Sequence, residues 1–374
     1  MKIVFIDQIA EVNNKYSFSL LNRLKKKHEV FFVSDEKPFN DKDVKVYNLF
    51  NGTTSTELSK ANKALVYMKA WKTIYKMCIE NNIDVLHIQW FILSPIDAHY
   101  IKKIKNLGIK IIVTVHDILP FNEMFYDYSN HKKIYDMADK IIVQAKPNIE
   151  RINKMFDNLE SKVVYIPHGN FVEHVNIIEK DKARELLNIH KDKKVILFFG
   201  QIKKVKGLDV LIRAYGELIS KSNDDNLLLL IAGKVWGEDF TKYEKLIDEL
   251  NIRDKVKLDI KYIKDEEVDW YYNAADINVL PYRELYQSGV VHLAYGYKTP
   301  VIATRVGSFP EVIIDKVTGI LIEKDNYKEL SEAINDLVYD EEKIKNMGQA
   351  GRNHIEENFS WDKIADKISN LYTE

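Results

Sequence analysis

Two stretches of this chain carry residues whose types and spacing suit a phosphate-bearing ligand. In the first, an apolar run, Val195–Phe199, ends in Gly200-Gln201-Ile202-Lys203-Lys204-Val205-Lys206-Gly207, and an amphipathic segment, Leu208–Ser220, follows at once. Fixed cations between a strand and a helix stabilise the negative charge that builds on a departing diphosphate. A lysine run is otherwise a solvated face; its place in a strand–loop–helix favours a phosphate role for Lys206 and, less strongly, for Lys203. The second stretch, Asp276–Thr304, reads as strand, loop, helix, strand. Pro281 ends the strand, and Gln287, Ser288 and Gly289 stand where a helix must begin, with Val290 to Tyr297 continuing it. A helix start offers unpaired N–H groups and the positive end of the helix dipole, which together cradle a diphosphate. Ser288 suits the N-cap, and Gly289 lets a ligand approach the backbone closely.

Other residues at strand ends add to the set. His116-Asp117 closes the apolar run Ile111–Val115, and His87-Ile88-Gln89-Trp90 closes another. A structural histidine or buried polar pair is the alternative for each. Asn14 and Tyr16 stand in the loop after the first strand, Gln8–Tyr16. Lys234 follows Leu227–Ala232, and Tyr262-Ile263 follows Lys255–Leu258. Glu311 reads equally as a first-turn acid favoured by the helix dipole. Metal signals are poor: there is no HExxH and no CxxC, and Asp41-Lys42-Asp43 lies in a polar loop among lysines. No GxGxxG follows a strand, which argues against a dehydrogenase.

These residues need elements to position them. Apolar Val/Ile runs alternate with helix-length amphipathic segments from Lys2 to the end, the pattern of parallel doubly wound sheets buried on both faces. Strands are expected at Lys2–Ile6, Val30–Val33, Val44–Tyr47, Val85–Ile88, Lys110–Val115, Lys140–Gln144 and Val163–Ile166, with helices at Tyr16–Lys27, Ala61–Glu80, Ala98–Asn106 and 147–157. After Pro167-His168-Gly169-Asn170 the pattern restarts, so two Rossmann-like domains are expected, 1–172 and 173–358, with the last helix, 361–374, packing back on the first. At 374 residues each has enough chain for a core. The net charge of −1 gives no electrostatic case for nucleic acid. Cys78 is the single cysteine, so no intramolecular disulfide forms; it reads as a core filler, and a cytoplasmic setting fits. No stretch reaches the roughly 18 apolar residues of a membrane span.

The stretch Pro281-Tyr282-Arg283-Glu284-Leu285-Tyr286-Gln287-Ser288-Gly289-Val290 resembles the nucleotide-sugar site of retaining glycosyltransferases of the GT-B fold, family 4 (glycosyl transferases group 1), in the subgroup with a Q-S-G-V donor loop. Lys206-Gly207 matches that family's basic loop, although Gln201 stands at the usual arginine position. Two glutamates that most members carry, separated by seven residues, are replaced by Leu285 and Leu293, and Glu284 lies one residue early. The resemblance implies two Rossmann-like domains facing across a cleft, and transfer of a sugar from a nucleotide-diphosphate donor to a glycan or lipid-linked hydroxyl acceptor in polysaccharide or cell-envelope synthesis. It implies catalytic roles for His116, Lys206 and Lys203. Donor contacts fall to Gly200, Lys234, Tyr262, Ile263, Glu284, Gln287, Ser288, Gly289 and Val290, and the acceptor side to Asn14, Tyr16, Gln89 and Trp90. No cofactor or metal is expected, no nucleic-acid partner, and a cytoplasmic protein with room for peripheral association at the inner membrane face. A nucleotide-sugar epimerase and a non-catalytic nucleotide-sugar binder are the alternatives.

Overall fold

A computed structural model describes every residue except 36–40, 54–57, 121–123, 223, 238 and 287–288, and leaves aside the side chains at 11 and 12. It divides into two compact units, Met1–Gly169 with Trp361–Glu374, and Asn170–Ser360.

The first unit begins with β1 (Lys2–Asp7), α1 (Ala10–Leu24), β2 (Glu29–Ser34), β3 (Val44–Tyr47), α2 (Lys60–Glu80) and β4 (Val85–Ile88). It continues with α3 (Ser94–Lys105), β5 (Lys110–Val115), α4 (Asp127–Met137), β6 (Lys140–Val143), α5 (Pro147–Met155) and β7 (Val163–Tyr165). The seven strands form one sheet in the order β3-β2-β1-β4-β5-β6-β7, with every neighbouring pair parallel. Runs such as Ile3–Asp7 and Ile111–Val115 are buried at every position, so they read as continuous apolar strands covered on both faces.

Two expectations change here. The segment read as a loop up to Tyr16 is helical from Ala10, with a kink at Asn13. The entry has no side-chain N-cap; the buried Asp7 organises it instead, accepting from the Ile9 amide, Asn13 Nδ2 and Ser17 Oγ. Helix α4 was not anticipated, because its Tyr-Ser-Asn-His-Lys-Lys stretch lacks a clear apolar stripe; burial of His131, Ile134 and Tyr135 holds it.

The second unit runs α6 (Lys180–Leu186), β8 (Lys194–Phe199), α7 (Leu208–Ser222), β9 (Leu227–Ala232), α8 (Thr241–Glu249), β10 (Val256–Asp259), α9 (Asp265–Ala274) and β11 (Ile277–Leu280). Then come α10 (Gly289–Gly296), β12 (Val301–Thr304), α11 (Phe309–Val312), β13 (Gly319–Ile322), α12 (Tyr327–Val338) and α13 (Glu341–Asn358). Its sheet has the order β10-β9-β8-β11-β12-β13, again all parallel. Asn326 and Asp340 cap α12 and α13 by accepting the Glu329 and Lys343 amides. The last helix, α14 (Trp361–Thr373), belongs to the first unit. Phe359 is buried in the second unit's core and Trp361 in the first unit's. Gly169 lies so close to the Trp361 indole that a Cβ there would sit 2.3 Å from it, so only glycine fits.

Candidate functional site

In an open parallel sheet, ligands lie outside the carboxyl ends of the strands where the order reverses. In the second unit that point falls between β8 and β11. The loop after β8 is the lysine loop and the loop after β11 opens at Pro281, so the topology brings the two phosphate-suited stretches side by side.

Arg283 joins them. Its backbone N–H donates to Val205 O at 2.8 Å, and its Nη1 donates to Lys204 O at 3.0 Å. The same guanidinium makes a bidentate pair with Asp209, 2.8 Å to each oxygen, and donates through Nε to Asp325 at 2.5 Å. Gly207 completes the fit: with φ +66, a Cβ there would stand 2.0 Å from Pro281 O, so the left-handed conformation and the close approach both require glycine. Lys206 Nζ rests 3.8 Å from the centroid of the buried Tyr282 ring, and Lys203 Nζ lies 5.6 Å over the Trp236 ring. Trp236 is brought there by a short continuation of the strand pairing, Ile202 N to Lys234 O at 2.9 Å and Trp236 N to Ile202 O at 3.0 Å. The Lys204 side chain is exposed.

Gly289 is the first residue of α10, and a Cβ on it would meet the Phe171 ring at 2.9 Å. Gln287 and Ser288 lie outside the described residues. Gly200, at φ +119, follows β8 directly, Val290 is half-buried on α10, and Glu284 and Lys234 are exposed. Leu285 is buried and Leu293 packs against the same core, so these two positions face apolar neighbours. Ile263 is buried just beyond β10, and Tyr262 beside it is 70% exposed, an open aromatic face.

In the first unit the carboxyl ends of β1, β4, β5 and β6 gather Asp7, Gln89, Trp90, His116 and Gln144. His116 Nε2 is 3.0 Å from Gln89 Oε1. The His116 ring stacks on Trp90 at 4.4 Å and meets Tyr16 edge-on at 5.1 Å. Tyr16 also packs against His168 and Trp361. Of the residues named from the sequence, Tyr16, Gln89, Trp90 and His116 meet here, and Tyr16 and Asn14 are buried on a helix rather than set in a loop. Burial, with the nearby His168, pushes the His116 imidazole down to about 3, so it is neutral at physiological pH. Burial likewise brings His87 to about 3 and His168 to about 4. It raises the Asp7 carboxyl to about 6, against the hydrogen bonds that favour its charged form.

Several residues escaped the sequence reading. Gln144 lies beside His116 and Tyr16 yet leaves both amide atoms without a well-aligned partner. Arg283 carries signal only through partners distant in sequence, and Asp7 only through the kinked helix entry that it organises. Cys78 is a buried core residue whose thiol burial pushes up to about 12. Asp41 is paired with Lys25, and no cluster of metal-ligating side chains occurs among the described residues. Among them, too, no helix is long and apolar enough to cross a membrane.

The two halves match two families. Residues 14–170 match Glycosyltransferase Family 4, and residues 179–354 match Glycosyl transferases group 1. Among relatives, the D-inositol 3-phosphate glycosyltransferase of Corynebacterium aurimucosum is 26% identical over 80% of this chain and 74% of its own. The N-acetyl-alpha-D-glucosaminyl L-malate synthase of Bacillus anthracis is 25% identical over 92% and 89%. Among solved structures, Anabaena HepE in complex with UDP and glucose has a TM-score of 0.76 at 16% identity, covering 100% of this chain and 99% of that one. Sucrose-phosphate synthase from Thermosynechococcus elongatus has a TM-score of 0.75 at 19% identity, covering 100% and 98%. The chain belongs to the group 1 glycosyltransferases and has their GT-B fold.

Proposed function

We propose that this glycosyltransferase is a retaining enzyme that moves a hexosyl group from a nucleotide-diphosphate sugar to a hydroxyl acceptor, in polysaccharide or cell-envelope glycan synthesis. The observation that carries the donor reading is the joining of the lysine loop to the loop after β11, at the switch point of the second sheet, by Arg283 and Gly207. Lys206, Lys203 and the Gly289 amide face the diphosphate, with Val290 beside them; Gln287 and Ser288, outside the described residues, belong to the same proposed donor set. Gly200 and Lys234 line its edge, and Tyr262 with Ile263 receives the base. The complex of HepE with UDP and glucose supports a uridine nucleotide, and a guanosine nucleotide is the competing choice.

In the reaction, the acceptor oxygen bonds to the anomeric carbon on the face from which the phosphate oxygen leaves. The acceptor's proton passes to that phosphate oxygen. Lys206 and Lys203 stabilise the charge of the released nucleoside diphosphate, so no metal or other cofactor is needed. Neutral His116 holds the transferring sugar by hydrogen bonding, and Asn14, Tyr16, Gln89 and Trp90 shape the acceptor side. The acceptor is a glycan or a lipid-linked glycan, which places the protein in the cytoplasm, against the inner membrane face when its acceptor is there. The acceptors in the relatives' names, inositol phosphate and malate, are hydroxyl compounds of the kind this reading requires.

One observation favours a second reading. Leu285 and Leu293, set in the core, offer no carboxylate for a donor ribose, which suits a binder without turnover. Turnover of a nucleotide-sugar panel separates the readings: transfer releases nucleoside diphosphate only with acceptor present, an epimerase alters the sugar, and a binder does neither.

A further inference from the structure

A chain of buried polar groups runs through the first unit from α14 to the carboxyl end of β5. Tyr372 Oη is 2.6 Å from His87 Nδ1. His87 Nε2 lies 2.8 Å from Thr114 Oγ1 and 3.0 Å from Gln89 Nε2. Gln89 Nε2 also donates to Thr114 Oγ1 at 3.3 Å, and Gln89 Oε1 faces His116 Nε2 at 3.0 Å. None of these residues is more than 3% exposed, so water does not compete for the bonds.

We propose that Tyr372 is a positioning residue for His116: by accepting from His87 Nδ1, its hydroxyl holds the chain through His87 and Gln89 in the polarity that places the hydrogen on one ring nitrogen of His116. A neutral imidazole has one N–H and one lone pair, and the partner of one nitrogen decides the state of the other. Burial keeps both rings neutral. An amide nitrogen only donates, so His87 presents a lone pair at Nε2 and holds its hydrogen at Nδ1, donated to Tyr372 Oη. An amide oxygen only accepts, so His116 holds its hydrogen at Nε2. Its Nδ1 is then the lone pair, an acceptor for a sugar hydroxyl. The two histidines hold opposite tautomers, and Gln89 couples them.

Gln89 sets the polarity, and Tyr372 sustains it by accepting at the chain's end. With the hydroxyl removed, the His87 Nδ1–H has no acceptor in the buried interior, a cost that the chain avoids by reversing. His87 then moves its hydrogen to Nε2, Gln89 turns its oxygen towards it, and the amide N–H₂ faces His116. His116 must answer with a lone pair at Nε2 and a hydrogen at Nδ1. A sugar hydroxyl that donated to His116 now meets a donor. This consequence for turnover rests on the proposed role of His116; the coupling itself does not.

The test uses the full chain labelled with ¹⁵N-histidine. Ring ¹⁵N–¹H correlations report each tautomer directly, with signals assigned from His87→Gln and His116→Gln. In the unsubstituted protein His116 must be protonated at Nε2 and His87 at Nδ1; matching or averaged tautomers overturn the proposal. In Tyr372→Phe both rings must invert or average, and an unchanged His116 in a folded variant also overturns it. Gln89→Leu breaks the link without touching α14. It must release His116 from its single tautomer while His87 keeps Nδ1–H, and an unchanged His116 overturns the proposal even if Tyr372→Phe does not fold. Turnover separates this from the reading beneath it. Tyr372→Phe should lower kcat about tenfold, the worth of one hydrogen bond, with less effect on donor KM. Inverted tautomers with normal turnover uphold the chain and remove His116 from the reaction.

Discussion

Replacing Lys206 by Ala removes a cation held over Tyr282, at the start of the second unit's switch-point loop. Its Nζ is placed 3.8 Å over the Tyr282 ring in the free protein, and Tyr282 is itself 1% exposed, so the charge sits on a rigid platform. Bond cleavage adds about one negative charge to the leaving diphosphate. At roughly 5 Å and an effective dielectric of about 20, a fixed cation stabilises that added charge by about 3 kcal/mol. This agrees with the roughly 10²–10³ in rate typical of removing one preorganised electrostatic contact. Because the charge is larger in the transition state than in the bound donor, kcat should fall by that factor while donor KM changes less. The assay is nucleoside diphosphate release in the presence of acceptor, with the fold checked by circular dichroism. Lys203→Ala should lose less, since its ammonium stands farther from its own aromatic partner. Lys204→Ala should be nearly silent, as that side chain is exposed. Near-normal turnover in a folded Lys206→Ala, or equal damage from Lys204→Ala, would refute the orientation of the loop.

Other outcomes follow from the same geometry. Arg283→Gln should lower kcat at least tenfold by freeing the lysine loop from Asp209 and Lys204 O, with Arg283→Lys recovering only part, since one ammonium cannot form the bidentate pair; full recovery by lysine would show that charge alone matters. Activity should survive excess EDTA, and an absolute need for Mn²⁺ or Mg²⁺ would return attention to Asp41 and Asp43. His116 is depressed from 6.5 to about 3 on folding. The unfolded chain therefore binds more protons in that window, and stability falls as pH drops from about 6.5 towards 3. His116→Gln should remove about 0.7 kcal/mol of that dependence between pH 7 and 6 and about 1.2 kcal/mol between pH 6 and 5, measured by urea unfolding at those three pH values. An unchanged slope would show that the ring is charged or solvated in the native state.

What the sequence disclosed follows from what short-range patterns can encode. Strands buried on both faces are runs of apolar residues, so Val30–Val33 and Lys110–Val115 are readable, and Pro281 and Gly207 mark backbone constraints that few other residues satisfy. The phosphate-suited stretches were legible because each is contiguous. The entry to α1 was not, since no capping side chain announces it and Asp7 organises it from the preceding strand. Arg283 carried no local signal either: its partners Asp209 and Asp325 lie 74 and 42 residues away. The link from Tyr372 to His87 spans 285 residues and exists only because α14 belongs to the first unit.

The central claim, that the second unit's switch point holds the donor diphosphate, is tested most directly by a crystal structure of the protein with UDP. The account predicts both phosphates within hydrogen-bonding reach of Lys206 Nζ and the Gly289 amide. The second unit offers a competitor on the opposite side of its sheet, a cavity of about 980 Å³ whose lining includes Lys191, Lys193 and Lys298 at the amino ends of the strands. Phosphates bound there, with the lysine loop empty, would contradict it.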